Sequence, residues 1–478
     1  MFLQKKQTLP ASQPFSEGVF PMNHIQTQIQ QYITPGRHAH MVGIGGVSMS
    51  SLAEVLLKNG MTISGSDWQE SAKTEHLREL GISISIGAQM AKNIIGADCV
   101  IRTAAAGDDK PEVAAALAAG IPVFERAQAW GAIMQRYENA VCIAGTHGKT
   151  TTTSMTTHIF MAAQTDPTVM IGGTLPLIGS DYRVGKGNTI ILESCEYCNS
   201  FLYFFPTIAV VMNVEEDHLD FFKDLDDIKA SFRRFAALAE KNGRIVGNAD
   251  DDNTMDALAG LPVFTFGIER EADLRAENLV WDHGMPEFDM VAGGKVYAHL
   301  RLKVGGMHNV YNALAAAASA YLLGIDGSAV KAGLETFTGA GRRFEYKGEL
   351  NGAKIYDDYS HHPSELHALF SMVKSFGYER IVCAFQPHTY TRTKALFDDF
   401  VEQLGSVDQV ILSEIFAARE KNTIGISSRD LAEKIPGAVY CPTLEDVADE
   451  IRKTARPGDL ILTVGAGNIV SVADTLTR

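Results

Sequence analysis

The chain of 478 residues carries 42 Lys and Arg against 57 Asp and Glu, a formal net charge of −15, with 46% apolar and 21% charged residues. That sign disfavours nucleic acid and anionic membrane as main partners, since both demand clustered cations. The length points to about three domains of roughly 150 residues each, able to bury full cores without disulfide staples.

Residues 1–36 are polar, rich in Gln and Pro, and lack the apolar stretch of a signal peptide, so they read as a poorly ordered extension. After them, short apolar runs alternate with helical patterns, the mark of parallel sheets covered by helices. The first block, 37–135, opens with a strand at 40–44, the turn Gly45-Gly46 and a helix through Leu57, with further strands near Ile63 and Val100. The second block, 136–340, opens with a strand at 141–144, a glycine turn and a Thr-rich helix. The runs 189–192 and 208–212 are nearly all apolar, as central parallel strands are. Residues 288–291 and 296–304 read as an antiparallel hairpin around Gly293-Gly294, an added sheet at the domain's edge, closed by a helix over 309–323. The third block, 341–478, repeats strand–helix units at Ile355, Ile381, Val410 and Leu460, the last ending in Gly465-Ala466-Gly467. The expected fold is therefore α/β in three domains. A Rossmann-like N-terminal domain precedes a P-loop central ATPase domain with an added antiparallel sheet, and a Rossmann-like C-terminal domain follows.

The strongest local signal is Gly145-Thr146-His147-Gly148-Lys149-Thr150-Thr151 between a strand and a helix. Glycines let backbone N–H groups turn toward phosphate oxygens, and the helix N-terminus adds favourable partial charge. Lys149 can neutralise outer phosphates, and the Thr150 hydroxyl is placed for Mg2+. Ile143 stands where the longer Walker pattern has its first glycine, so this is the shorter G-x-x-G-K-T form. A second glycine turn, Gly43, Gly45 and Gly46, has Asp67 about twenty residues on, where a ribose-binding carboxylate sits in dinucleotide folds. Ser48 replaces the third glycine, which weakens an NAD reading and leaves either a phosphate-binding or a purely packing turn.

Glu193-Ser194-Cys195-Glu196 follows one apolar strand and Asn213-Val214-Glu215-Glu216-Asp217-His218 the next. In a parallel sheet those strand ends share an edge with the phosphate loop, so a carboxylate and a histidine there can hold a second Mg2+ or orient an acyl phosphate, while some of the acidic run reads as a solvated helix N-cap. Cys195 and Cys198 form a CxxC without the further ligands zinc demands, and they read as small loop residues. The other four cysteines, Cys99, Cys142, Cys383 and Cys441, lie mostly in apolar runs, as reduced thiols of a cytoplasmic protein do. The third block carries Arg342-Arg343, Asp357-Asp358-Tyr359-Ser360-His361-His362-Pro363 and Gln386-Pro387-His388-Thr389-Tyr390-Thr391-Arg392, a mixture that favours anion recognition.

Taken together, G-T-H-G-K-T-T-T, G-I-G-G followed by Met49-Ser50, D-D-Y-S-H-H-P and F-Q-P-H-T-Y-T-R-T resemble the Mur ligase family, and within it the alanine-adding branch, from about His40 to the C-terminus. The resemblance implies an ATP- and Mg2+-dependent amide ligase of peptidoglycan precursor synthesis that takes UDP-N-acetylmuramate and L-alanine. It implies that the first domain binds the UDP group through Gly43, Gly45, Gly46 and Asp67. The central domain would hold ATP through Gly145–Thr151, with Thr150, Glu196 and His218 toward metal. His308-Asn309-Val310-Tyr311-Asn312 would place Asn312 at the adenine, and Arg343 and Asp358 would close over the nucleotide. Tyr359, His361, His388 and Arg392 would meet the muramyl and alanine groups, with Lys149, His218, His361 and Arg343 taking part in the chemistry. The chain departs from the family pattern at Ala88, where histidine is frequent, at Ser360, often glycine, at Thr389, often arginine, and at Cys195 and Cys198, often aspartate. Lys229, on the helix after His218, is a candidate for the carbamylated lysine of some relatives.

Three rival readings remain at this level. Another Mur-type ligase would take a different amino acid or peptide. An NAD-dependent oxidoreductase would leave the Lys149 loop unexplained, and a regulatory P-loop ATPase would leave the third block's His and Arg motifs unexplained.

Overall fold

The computed structural model describes residues 28–219, 221–239, 243–418 and 420–477. Three sheets follow one another along the chain. The first contains β1 (His38–Val42), β2 (Thr62–Asp67), β3 (Ser83–Ile86), β4 (Cys99–Arg102) and β5 (Val123–Glu125), in the order β3-β2-β1-β4-β5. All its pairings are parallel. Residues 1–27 of the expected extension lie outside the described residues. The stretch 28–36 does not stand off as an extension: Ile29 and Ile33, four positions apart, are fully buried in the core, and Tyr32 packs against Phe124 at 5.8 Å.

The central sheet has ten strands: β6 (Asn139–Ala144), β7 (Thr168–Leu175), β8 (Ser180–Arg183), β9 (Thr189–Glu193), β10 (Ile208–Val211), β11 (Arg244–Asn248), β12 (Val263–Gly267), β13 (Leu274–Asp282), β14 (Met285–Ala292) and β15 (Lys295–Arg301). Their order is β15-β14-β13-β12-β11-β10-β6-β9-β7-β8, so β6 lies between β10 and β9. The hairpin expected around Gly293-Gly294 is present, with Ala292 facing Lys295. It continues the parallel sheet through β13 and does not stack as a separate layer. Over β6 lies the helix Lys149–Ala162, buried along nearly its whole length. Its threonines tolerate that burial because Thr153, Thr156 and Thr157 return their hydroxyls to carbonyls four residues back, each at 2.8 Å. The run Ala315–Ala318 in the helix Met307–Leu322 is fully buried, and its small side chains let that helix lie close.

The third sheet holds β16 (Glu345–Leu350), β17 (Ala353–Asp358), β18 (Arg380–Phe385), β19 (Gln409–Ser413), β20 (Val439–Cys441) and β21 (Asp459–Val464), in the order β16-β17-β21-β18-β19-β20. Only β16 runs antiparallel. The turn Gly465–Gly467 is structural: a Cβ on Gly467 would stand 2.2 Å from Gln386 Oε1, which accepts from Ile469 N. None of the described helices is long and apolar enough to cross a membrane.

Candidate active site

Parallel pairing aligns the ends of β9, β6 and β10, with Glu193 opposite Ile143 and Val211 opposite Ala144. Three functional loops therefore leave one edge. The phosphate loop turns through Gly145 (φ 152°) and Gly148 (φ 80°) into the helix beginning at Lys149. Asn213 clamps it: His147 N donates to Asn213 Oδ1 at 2.7 Å, Thr146 N donates to its carbonyl at 3.1 Å, and Asn213 Nδ2 donates back to His147 O at 3.2 Å. Thr150 Oγ1 donates to Glu193 Oε1 at 3.1 Å, and Thr151 is buried in the same first helical turn. Asn312 Oδ1 accepts from Thr152 Oγ1 at 3.1 Å and would lie 2.6 Å from any Cβ on Gly148. The expected adenine contact thus abuts the phosphate loop.

Lys149 Nζ donates to the carbonyls of Gly145 and Thr146 and lies 3.1 Å from Glu196 Oε2. Burial alone would weaken its hold on the proton, but Glu196 and Glu193 outweigh that and raise its pKa. Glu196 is 3% exposed, and its Oε2 makes no hydrogen bond of good geometry despite the nearby ammonium. His218, in left-handed backbone (φ 54°), places Nε2 3.6 Å from Glu196 Oε1 and 3.8 Å from Asp217 Oδ2, its ring 4.7 Å from that of Tyr197. Glu196 and His218 offer a carboxylate and an imidazole beside an underbonded buried oxygen, while Thr150 and Glu193 form a separate pair of oxygen donors at the start of the phosphate-loop helix; Glu193, Glu196 and His218 do not converge within one ion's reach. Donors of these kinds suit a hard divalent cation such as Mg2+. Lys229 pairs with Asp256 at 2.9 Å. Cys195 and Cys198 are free thiols, and neither belongs to a metal-holding cluster among the described residues.

The third sheet brings its motifs to the same cleft. Arg342 is structural: it binds Asp357 at 2.8 Å, Gly465 O at 2.6 Å and Gly467 O at 3.1 Å. Arg343 makes no side-chain hydrogen bond among the described residues and lies 4.8 Å over the Tyr359 ring. Asp358 is buried and spends both oxygens locally, on Phe344 N at 2.7 Å and on Ser360 N at 2.8 Å. Ser360 Oγ adds another bond to it, which gives the serine at this position a role glycine lacks. Burial pushes the Asp358 carboxyl above its ordinary pKa, against the pull of Arg343. His361 Nδ1 lies 3.1 Å from Tyr359 O, and burial lowers its pKa to about 4, so the ring is neutral. His388, 5.9 Å away ring to ring, is likewise lowered to about 4 by burial.

Arg392, expected to meet substrate, directs its fork at Asp217, with Nη2 2.6 Å and Nε 3.1 Å from Oδ1. His147, expected on phosphate, points its ring at the C-terminal domain, 3.0 Å from Glu365 Oε1 and 3.1 Å from Ser364 Oγ. Thr389 adopts φ 69°, unusual for a β-branched residue, and starts the short helix carrying Arg392. In the first domain, Gly45 N donates to Asp67 Oδ2 at 2.7 Å, so this carboxylate braces the glycine turn with one oxygen. Gly43 has φ 78°, and a Cβ there would press on Thr103 at 2.8 Å. Gly46 caps the helix Val47–Lys58. Sequence reasoning passed over Glu193, Asn213, Asp217 and Glu365. The first three stand in the very strand-end runs that flagged Glu196 and His218, and Glu365 closes a capping box with His362.

Sequence profiles of Mur ligases match the three parts in turn: the Mur ligase family catalytic domain over 38–138, the middle domain over 143–320 and the glutamate ligase domain over 342–467. The chain belongs to the Mur ligase family. This Mur ligase is 44% identical over 445 residues to a UDP-N-acetylmuramate–L-alanine ligase of Caldanaerobacter subterraneus, covering 92% of the chain and 96% of the relative. It is 46% identical over 449 residues to one from Agathobacter rectalis, covering 92% and 98%. Among solved structures, the UDP-N-acetylmuramate–alanine ligase of Thermotoga maritima matches with a TM-score of 0.78 at 29% identity, covering 92% of this Mur ligase and 98% of that chain. A murein peptide ligase from Psychrobacter arcticus shares the fold, with a TM-score of 0.69 at 24% identity.

Proposed function

We infer that this Mur ligase joins L-alanine to the carboxylate of UDP-N-acetylmuramate at the cost of ATP, in the cytoplasm, as a step of peptidoglycan precursor synthesis. The observation that carries the reading is the convergence of a phosphate loop, an acidic metal-type centre and a cationic closing domain on one cleft. Relatives identical at 44% and 46% across nearly the whole length carry that activity in their names.

The muramyl carboxylate is a poor electrophile. Its oxygen attacks the γ-phosphorus of ATP, ADP leaves, and an acyl phosphate results. The amine of alanine then adds to the carbonyl, and the tetrahedral intermediate expels phosphate, which carries away one oxygen of the original carboxylate. Catalysis of this kind is mainly positioning and charge neutralisation. The phosphate-loop amides and Lys149 hold the terminal phosphates, while Asn213 keeps the loop shaped. Arg343, without a hydrogen-bonded partner of its own, is free to turn from Tyr359 to the transferring phosphoryl group. Mg2+ would be held by Thr150 at the phosphate loop and, at a second position, by Glu196 and His218, and would supply further neutralisation of phosphate charge. His361 is the favoured acceptor for the attacking amine. A bond to the Tyr359 carbonyl fixes its proton on Nδ1 and leaves the Nε2 lone pair free. His218, facing carboxylates, is better suited to the metal centre.

Phosphate release is the test. It should require ATP, UDP-N-acetylmuramate and L-alanine together, and hydroxylamine should trap the muramyl acyl group when alanine is left out. Faster turnover with D-glutamate or an intact peptide would keep the ligase and overturn the named amino acid.

A further inference from the structure

Arg126 opens the helix Arg126–Met134 of the first domain. Its Nη1 donates to Ser48 Oγ at 2.6 Å, the hydroxyl standing where a third glycine of the first turn would be. Trp130 Nε1 donates to the same oxygen at 3.0 Å and fixes it. Arg126 forms no ion pair among the described residues; the neighbouring Glu125 is taken by Arg102 at 3.5 Å and by its own helix cap. Arg342 and Arg392 are paired with Asp357 and Asp217, and Arg136, which like Arg126 has no ion pair among the described residues, spends its guanidinium on the Ile33 carbonyl. Arg126 is half-buried, and burial works against its charge. Its helix is pressed on the chain that continues from Glu196, since a Cβ on Gly131 would stand 2.0 Å from Tyr203 O. The guanidinium therefore lies at the first glycine turn, on a helix packed against the continuation of the Glu196 loop.

We propose that Arg126 is a substrate-positioning residue, the fixed cation that receives an anionic oxygen of the sugar nucleotide where the first and central domains meet. Cations withdrawn from water are normally paired, and a guanidinium fork matches phosphate and carboxylate alike. A ligand oxygen supplies the missing partner, and Ser48 aims the fork at it. Two oxygens of the substrate have this chemistry, those of the diphosphate and that of the muramyl carboxylate. The inference rests on the sugar-nucleotide reading above, and wild-type binding of UDP-N-acetylmuramate serves as the separate check of that reading.

Calorimetric titration of UDP and of UDP-N-acetylmuramate into wild type, Arg126→Ala, Arg126→Lys and Ser48→Ala decides the matter, with ATP binding as the check that the central domain is intact. Arg126→Ala should weaken UDP-N-acetylmuramate roughly 10- to 100-fold with ATP affinity unchanged. Arg126→Lys should recover part of that loss, and Ser48→Ala should cost about 2- to 5-fold by leaving the fork unaimed. If UDP alone weakens in parallel, the partner is the diphosphate; if UDP binds as in wild type, it is the carboxylate. Both ligands binding Arg126→Ala with wild-type affinity would overturn the proposal. So would equal losses for ATP and the sugar nucleotide in Arg126→Lys, which would mark a residue that only holds the fold.

Discussion

Two adjacent arginines carry different burdens. Arg342 joins Asp357 to the turn after β21, so Arg342→Ala should unfold at lower temperature, by about 2–4 kcal/mol, because a fully buried carboxylate loses its partner. Arg343→Ala should leave the melting temperature nearly unchanged while turnover falls roughly a hundredfold. Thermal melts beside steady-state rates separate the two, and an inverted pattern would exchange their roles. On the proposed function, Lys149→Ala should also lose about a hundredfold or more in rate, by removing the charge assigned to the transferring phosphoryl group. Near-wild-type turnover in the folded variant would remove the phosphate-loop assignment. The strand–turn–helix around Lys149 and Thr150 was legible in the sequence because its motif is local, read within a few residues of one strand end. The pairs His147–Glu365 and Arg392–Asp217 join residues 218 and 175 positions apart, and nothing local in the chain records such a meeting.

Among elements, the legible strands were the central ones, whose buried runs, such as Val141 to Ala144, leave little alternative. Some of the missed ones lie at the margins of their sheets, although Arg244–Asn248 and Val263–Gly267, also unread, lie inside the central one. Ser83–Ile86 is partly exposed, and Glu345–Leu350 mixes charge and glycine, so neither shows the apolar run or clean alternation that marks a strand. The phosphate loop is an element whose backbone, more than its side chains, matters. Gly148→Ala places a Cβ 2.6 Å from Asn312 Oδ1 at a left-handed residue, where an L side chain costs about 1 kcal/mol before any clash. ATP affinity measured by calorimetry should drop at least tenfold, while the sugar nucleotide, assigned to the first domain in the proposed function, should bind as before. Unchanged ATP affinity would show that the loop does not hold the nucleotide.

At the scale of the whole molecule, a polar latch ties the phosphate loop to the C-terminal domain. His147 contacts Glu365, Ser364 and Glu215, its ring is 5.0 Å from that of His362, and His362 in turn lies 3.2 Å from Glu216 O. Burial would lower the His147 pKa, but Glu365 and then Glu215 reverse this and lift it to about 10. Burial likewise opposes ionised Glu365, yet His361 and His147 hold its carboxyl well below the ordinary range. A raised histidine stabilises the folded state fully below its ordinary 6.5 and loses that contribution as pH rises through about 10. A depressed carboxylate contributes above its ordinary 4.5 and loses the contribution as pH falls through its lower folded value. The latch should therefore be firmest between about 4.5 and 6.5 and weaken toward pH 10. Hydrogen exchange in the helix Pro363–Lys374, corrected for the intrinsic rate, should rise over that alkaline interval in wild type and be flat in His147→Gln. Identical profiles in both proteins would deny the latch. The most direct test of the account as a whole follows the carboxylate oxygen. With UDP-N-acetylmuramate labelled by 18O in its carboxylate, turnover with ATP and L-alanine should deliver one labelled oxygen to each phosphate released; phosphate without label, alongside amide product, would contradict activation through an acyl phosphate.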